Sequence, residues 1–118
     1  MRLKYDIPRE EVNRLLVQVG AHQVMLRRQI MNLISETADR IVRDAKQLAP
    51  VDEGDLVRSI KKRLYEQSLS IAGDIIATAP HAHLVELGTV RSGATPFITP
   101  AFEAHIGQFT AELRRLIR

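Results

Sequence analysis

The stretch TAPHAHLVELGTVRSGATPFITPA, residues 78–101, has no regular period of apolar residues, and its conformation is set by proline and glycine. It contains three prolines, which fix φ, and two glycines, which permit conformations closed to other residues. It carries no nucleophile beside a partner base, no glycine loop of the kind that cradles phosphate and no complete set of metal ligands. The stretch therefore predicts a shaped connection whose role is assembly.

A short helix and a long helix are expected around this connection. Residues 82–87 form one or two helical turns that end at Gly88. After the connection, Thr99 is expected to cap a helix and Pro100 to occupy its first position. Apolar residues then recur three or four positions apart, which predicts an amphipathic C-terminal helix: Phe102, Ile106, Phe109, Leu113, Leu116 and Ile117.

Before the connection, residues 59–66 alternate loosely between two faces, and residues 69–78 alternate more cleanly. Such a period is typical of strands. We expect two antiparallel strands joined at Gln67-Ser68, with a bulge or second turn at Gly73-Asp74.

Residues 8–49 are predicted to be helical, because their apolar residues follow helical spacing on both sides of Gly20. Either one long helix has a weak point at Gly20 or two helices meet there. We favour a short helix followed by a long one that begins at about His22. The Ala49-Pro50 step ends it, because proline disfavours helix in the preceding residue.

The joint at residues 51–56 has two interpretations, with Asp52 capping a single helical turn or Gly54 supplying a turn. The order of elements predicts a single α+β domain over residues 1–118, with helices on one face of a small antiparallel sheet. Residues 1–20 form an extension or short helix of this domain, and residues 22–118 form its core.

Composition narrows the class of protein. The 118 residues include no cysteine, which excludes disulfides and thiolate metal sites and favours a reducing cytoplasm. No apolar run reaches the length of a membrane span, so we predict no membrane partner. The net charge of +3 permits contact with nucleic acid without requiring it, because the arginines are spread along the chain.

His81, His83 and Glu86 are the only cluster that resembles metal ligands. Residues 81 and 83 share a face in a strand, whereas residues 83 and 86 share one in a helix, so no single element serves all three. We favour the other interpretation, in which the histidines lie at a surface turn and Glu86 bonds to backbone near Gly88. No catalytic, cofactor-binding or metal-binding residue is predicted.

Lys61, Lys62 and Arg63 form a short basic run. Further basic residues extend a hypothetical DNA-facing surface: Lys4, Arg27, Arg28, Arg114, Arg115 and Arg118. No aromatic residues are interleaved with them to stack on bases. A strand edge protected by charge is the favoured interpretation.

Three blocks of sequence carry a resemblance to a known family: APVDEGDLVRSI at 49–60, AHLVELGT at 82–89 and PFITPA at 96–101. In this order, with a long helix before and a helix after, they resemble the small neck or minor tail proteins of long-tailed phages. That family is named after gene product ten of a lambda-like coliphage. It usually has aromatic residues where this chain has Leu84 and Leu87. The motif residues to which the resemblance assigns a structural or assembly role are Pro50, Gly54, Leu56, Ser59, Glu86, Gly88, Thr89, Arg91, Pro96, Phe97 and Pro100.

The resemblance implies a structural protein of the phage or prophage head-tail junction, without enzymatic activity or cofactor. It implies a virion protein that is made in the bacterial cytoplasm and forms a homo-oligomeric ring. Its other implied partners are connector and tail proteins, with non-specific contact to DNA in the channel. Gly88 and Pro96 are expected to fix the ends of a loop that orders against a neighbouring subunit. The alternatives are a small basic DNA-binding regulator and a metal-dependent hydrolase that uses His81, His83 and Glu86.

Overall fold

A computed structural model describes residues 13–20, 22–50, 54–88 and 93–117. Three strands are present in this part of the chain: β1 (Asn13–Gln18), β2 (Ile60–Gln67) and β3 (Ser70–Ala77). Four helices accompany them: α1 (Val24–Leu48), α2 (Asp55–Ser59), α3 (Ala82–Leu87) and α4 (Ile98–Leu116). The predicted α+β class, with a long helix, a small antiparallel sheet and a C-terminal helix, is confirmed.

The three strands form one antiparallel sheet in the order β1-β3-β2. β2 and β3 are the predicted hairpin, and their turn lies at Ser68 and Leu69, one residue later than expected. Their register runs without interruption from Ile60 opposite Ala77 to Gln67 opposite Ser70. The predicted bulge or second turn at Gly73-Asp74 is therefore wrong.

Residues 13–18 form a strand, so the short helix predicted before Gly20 is wrong over this segment. Leu15 and Val17 are buried, while the intervening Leu16 is only partly buried, which is the period of two expected for a strand. Six residues are too few to distinguish the two periods by sequence, and pairing with β3 decides between them. The remainder of the predicted short helix falls in residues 8–12, outside the described residues.

Helix α1 covers one face of the sheet, and α4 packs along α1. α1 begins at Val24, two residues after the predicted start, and Ala49 is extended with ψ 137°, so the predicted end at Ala49-Pro50 is confirmed. Phe102, Phe109 and Leu113 place the predicted apolar stripe of α4 in the core. No helix in the described part of the chain combines the length and apolar character needed to cross a membrane.

A polar contact links the two long helices at the edge of this core. Nε2 of His105 in α4 donates to Oδ2 of Asp44 in α1 at 2.5 Å. Arg43 lies 3.6 Å from the other carboxylate oxygen of Asp44. The hydrogen bond from His105, with the positive charges of His105 and Arg43, lowers the pKa of Asp44 below its ordinary value of 3.8.

We expect the Asp44→Asn variant to be less stable than the parent protein at pH 6, by a difference that becomes smaller as the pH falls below 3.8. A carboxyl group whose pKa is lowered by folding stabilises the protein above its unfolded pKa. That contribution is lost as the pH falls from about 3.8 through the folded pKa. Urea unfolding at pH 6, 5, 4 and 3 measures the difference, and a difference that does not change over this range would contradict the assignment.

Candidate assembly site

The corner between α3 and α4 is organised around the carboxylate of Glu86. This side chain is only 3% exposed. Its Oε1 accepts hydrogen bonds from the backbone amides of Phe97 at 3.2 Å and Ile98 at 2.9 Å, and its Oε2 accepts one from Thr99 at 3.3 Å. Glu86 therefore bonds to backbone, but the predicted position near Gly88 is wrong, because its partners are the amides of residues 97–99.

Pro100 completes this cap. Because α4 begins at Ile98, the amides at positions 97–100 have no partner within the helix. Glu86 satisfies three of them, and Pro100 has no N–H to satisfy. The negative carboxylate also interacts favourably with the positive end of the helix dipole. The predicted cap at Thr99 and first position at Pro100 are therefore each two residues late.

Gly88 fixes the beginning of the connection after α3. It ends this helix as predicted, with φ 82° and ψ 172°, a conformation that is essentially restricted to glycine. A Cβ atom at this position would lie 2.8 Å from the backbone nitrogen of Ala94. The amide of Thr95 donates to the carbonyl of Val85 at 2.8 Å, so the returning chain is held against α3. Thr89 and Arg91 lie outside the described residues.

The first motif block builds the joint between α1 and the sheet. Gly54 precedes α2 with φ 81°, so glycine supplies the turn, and the alternative residue Asp52 lies outside the described residues. Oγ of Ser59 donates to the carbonyl of Leu56 at 2.8 Å. The carbonyl of Ser59 accepts a bond from the amide of Thr78 at 3.2 Å, which ties α2 to the end of β3.

The described motif residues divide into an internal set and a surface set. Leu56, Ser59, Glu86 and Phe97 are buried, whereas Pro96 is exposed. Partly buried positions belong to Pro50, Gly54, Gly88 and Pro100. The buried members position backbone and cannot themselves contact a partner in the folded chain. Of the described motif residues, only Pro96 is fully accessible to a partner.

Two leucines on α3 are also exposed. Leu84 is 45% exposed and Leu87 is 60% exposed. They are three positions apart, so they lie on the same side of the helix. The predicted site residues do not include them, although two leucines three positions apart in a short helix can be recognised in the sequence.

The model of the HK97-gp10-like family, described as "Bacteriophage HK97-gp10, putative tail-component", matches residues 13–88. This chain belongs to the HK97-gp10-like family. The match includes all three strands, α1, α2 and α3, and it ends at Gly88. No curated protein and no solved structure matches the chain. The predicted resemblance to a phage neck or tail family is confirmed.

In this HK97-gp10-like protein, His81, His83 and Glu86 do not form a cluster. Both histidines are exposed, while the carboxylate of Glu86 is turned toward the start of α4. Among the described residues, no group of three histidine, aspartate or glutamate side chains is arranged to hold a metal ion. The hydrogen bonds of Glu86 can instead stabilise the amino terminus of α4.

The basic residues also divide between internal and surface positions. Nζ of Lys62 bonds to Asp39 at 2.7 Å and to Ser35 at 2.8 Å, so this side chain faces α1. Arg27 is buried against the β2-β3 turn. Lys61 and Arg63 are exposed on β2, which lies at an edge of the three-stranded sheet. Lys62 and Arg27 therefore do not belong to a DNA-facing surface. Lys4 and Arg118 lie outside the described residues.

Proposed function

We propose that this HK97-gp10-like protein is a non-enzymatic structural component of the head-tail junction of a phage or prophage. In this proposal it is made in the bacterial cytoplasm and forms a ring in the virion with copies of itself. Its other partners are connector and tail proteins. The exposed Lys61 and Arg63 would make at most non-specific contact with DNA in the channel.

The observation that carries the proposal is the cap that Glu86 forms on α4. The matched family block contains one acidic side chain between two exposed leucines, and that side chain is committed to three backbone amides. The region therefore fixes the position of α3 and the chain after it. A fixed helix that exposes Leu84 and Leu87 is suited to docking against another protein.

The ends of the connection support a docking role for residues 88–96. Gly88 is held close to Ala94, and Thr95 is bonded to Val85. Both ends are therefore anchored on α3, next to Leu84 and Leu87. In the proposed ring, the middle of this loop, with Thr89 and Arg91, orders against a neighbouring subunit. A ring requires such heterologous contacts, in which two different surfaces meet.

Deletion of Arg91 to Ala94 is expected to prevent ring formation and the joining of heads to tails. A second variant, in which Gly-Ser-Gly-Ser replaces the same four residues, keeps the length of the connection and controls for strain. Electron microscopy of the purified proteins and of particles from phage carrying each variant gene measures the effect. Urea unfolding of both variants shows whether the domain remains folded. Rings and joined particles at parental levels in folded variants would overturn the role of the loop.

A further inference from the structure

Two polar side chains lie inside the core without a hydrogen-bond partner. Asn13 is the first residue of β1 and shares its buried face with Leu15 and Val17. Thr37 lies in the middle of α1, and both it and Asn13 are only 1% exposed. Nδ2 and Oδ1 of Asn13 and Oγ1 of Thr37 bond to no described residue. Buried polar atoms in folded proteins are nearly always paired, so these three atoms indicate a partner that the described residues do not supply.

The register of the sheet locates the part of α1 that lies over Asn13. Asn13 and Lys62 stand in the same row, one on each side of Ile75. Nζ of Lys62 bonds to Asp39 of α1 at 2.7 Å and to Ser35 of α1 at 2.8 Å. The turn of α1 that contains these two residues therefore lies over the row of Asn13.

Thr37 belongs to the same turn of α1 but to its other flank. Residues two apart in a helix do not face the same way, and Thr37 is two positions from both Ser35 and Asp39. Because Ser35 and Asp39 face β2, Thr37 faces β1. Asp44 follows Thr37 by two turns on the same flank and bonds to His105 of α4, and α4 also contacts β1. Asn13 and Thr37 therefore point into one junction, where β1, α1 and α4 meet.

We propose that this junction is a binding site for a buried water molecule, which bridges Asn13 to Thr37. Buried waters typically make about three hydrogen bonds to polar groups that have no other partner. The three atoms suit water, because Nδ2 of Asn13 donates, Oδ1 accepts and the hydroxyl of Thr37 does either. Both side chains are uncharged, whereas an ion would need an opposite charge to offset its burial.

The bridge ties the first residue of β1 to the centre of α1. A shift of β1 by one residue would turn Asn13 to the other face of the sheet and break the bridge. The water site therefore helps to specify the register of this edge strand, which an apolar contact alone specifies less strictly. The inference concerns the core of the domain and does not depend on the proposed role of the protein in the virion.

A high-resolution crystal structure tests the site directly. We expect an ordered water molecule within hydrogen-bond distance of both Asn13 and Thr37. The two side chains could instead bond directly to other protein groups, or the junction could be closed to water. Either of these results would overturn the inference.

A double-mutant cycle tests the bridge in solution. The substitutions Asn13→Leu and Thr37→Val each leave the water with fewer partners, so each is expected to raise the equilibrium constant of unfolding roughly tenfold. The variant with both substitutions has an apolar junction that needs no water, so its stability should return close to that of the parent. Urea unfolding of the four proteins measures this coupling.

Ser35→Ala is the control, because Ser35 lies over the same row of the sheet but bonds to Lys62 on the other flank of α1. Combined with Asn13→Leu, it should show additive effects. If the atoms of Asn13 and Thr37 bind no water, each single substitution removes an unpaired polar group and should be neutral or stabilising. Neutral or stabilising single variants with additive effects would therefore overturn the inference, while the head-tail role is decided separately by particle assembly.

Discussion

Replacement of Glu86 by alanine is expected to lower the free energy of unfolding by about 3 kcal/mol. The variant would leave the amides of Phe97, Ile98 and Thr99 without their acceptor. Phe97 and Ile98 are buried, so water cannot readily replace the carboxylate at these amides. Loss of the negative charge also removes a favourable interaction with the helix dipole. Equilibrium unfolding in urea at pH 7 measures the change.

The Glu86→Gln variant distinguishes the contribution of the carboxylate to stability from that of packing, because glutamine has nearly the same size. Its amide NH₂ group would face a backbone N–H group that also donates, so we expect a loss of about 1–2 kcal/mol. Glu103→Gln is the matched control, since Glu103 is exposed on α4, and it should change stability by less than about 0.5 kcal/mol. A Glu86→Gln variant as stable as the Glu103→Gln control would show that the negative charge and the second carboxylate oxygen of Glu86 contribute nothing to stability.

Replacement of Gly73 by alanine is expected to lower the free energy of unfolding by about 2 kcal/mol. Gly73 lies in the central strand, and a Cβ atom there would overlap Cγ2 of Ile34 in α1. Ile34 is fully buried and branched at Cβ, so it has no free space into which to move. The helix would have to move away from the sheet. Urea or thermal unfolding measures the loss.

The same substitution at Gly107 is the matched control, with the opposite expected sign. Gly107 is exposed within α4, and a Cβ atom there would meet no other atom within 4 Å. Alanine favours helix over glycine by roughly 0.5–1 kcal/mol, so Gly107→Ala should stabilise the protein. Equal effects at the two positions would show that the close approach of α1 to β3 is not what requires glycine at position 73.

Three features of the fold could be predicted from local sequence. The period of α1, the alternation of β2 and β3 and the apolar stripe of α4 are each long enough to distinguish helix from strand. The six residues of β1 are not, because Leu15 and Leu16 satisfy both periods. The prediction of a bulge at Gly73-Asp74 was wrong because it considered only residues close in the chain. Glycine is required there by the helix above the strand, not by the pairing within the sheet.

For the candidate site, too, the sequence predicts residues but not the contacts between distant parts of the chain. The family could be recognised from the sequence, and the match over residues 13–88, which includes Glu86 and Gly88, confirms it. Phe97 lies beyond that match, so its motif role stays a prediction. The positions of the motif residues in space could not be predicted, because Glu86 bonds to amides 11 to 13 residues away. The division between buried motif residues and exposed leucines depends on which side of α3 faces α4. The proposed assembly role of the motif stays a prediction.

The sequence by itself determined the family, the α+β class, the end of α1 at Ala49-Pro50 and the end of α3 at Gly88. These features depend on the conformational preferences of residues close in the chain. Only the tertiary structure decided that residues 13–18 are a strand and that Glu86 caps α4. It also placed Arg27 and Lys62 in internal contacts. The physical reason is that pairing, capping and burial depend on groups that only the folded chain brings together.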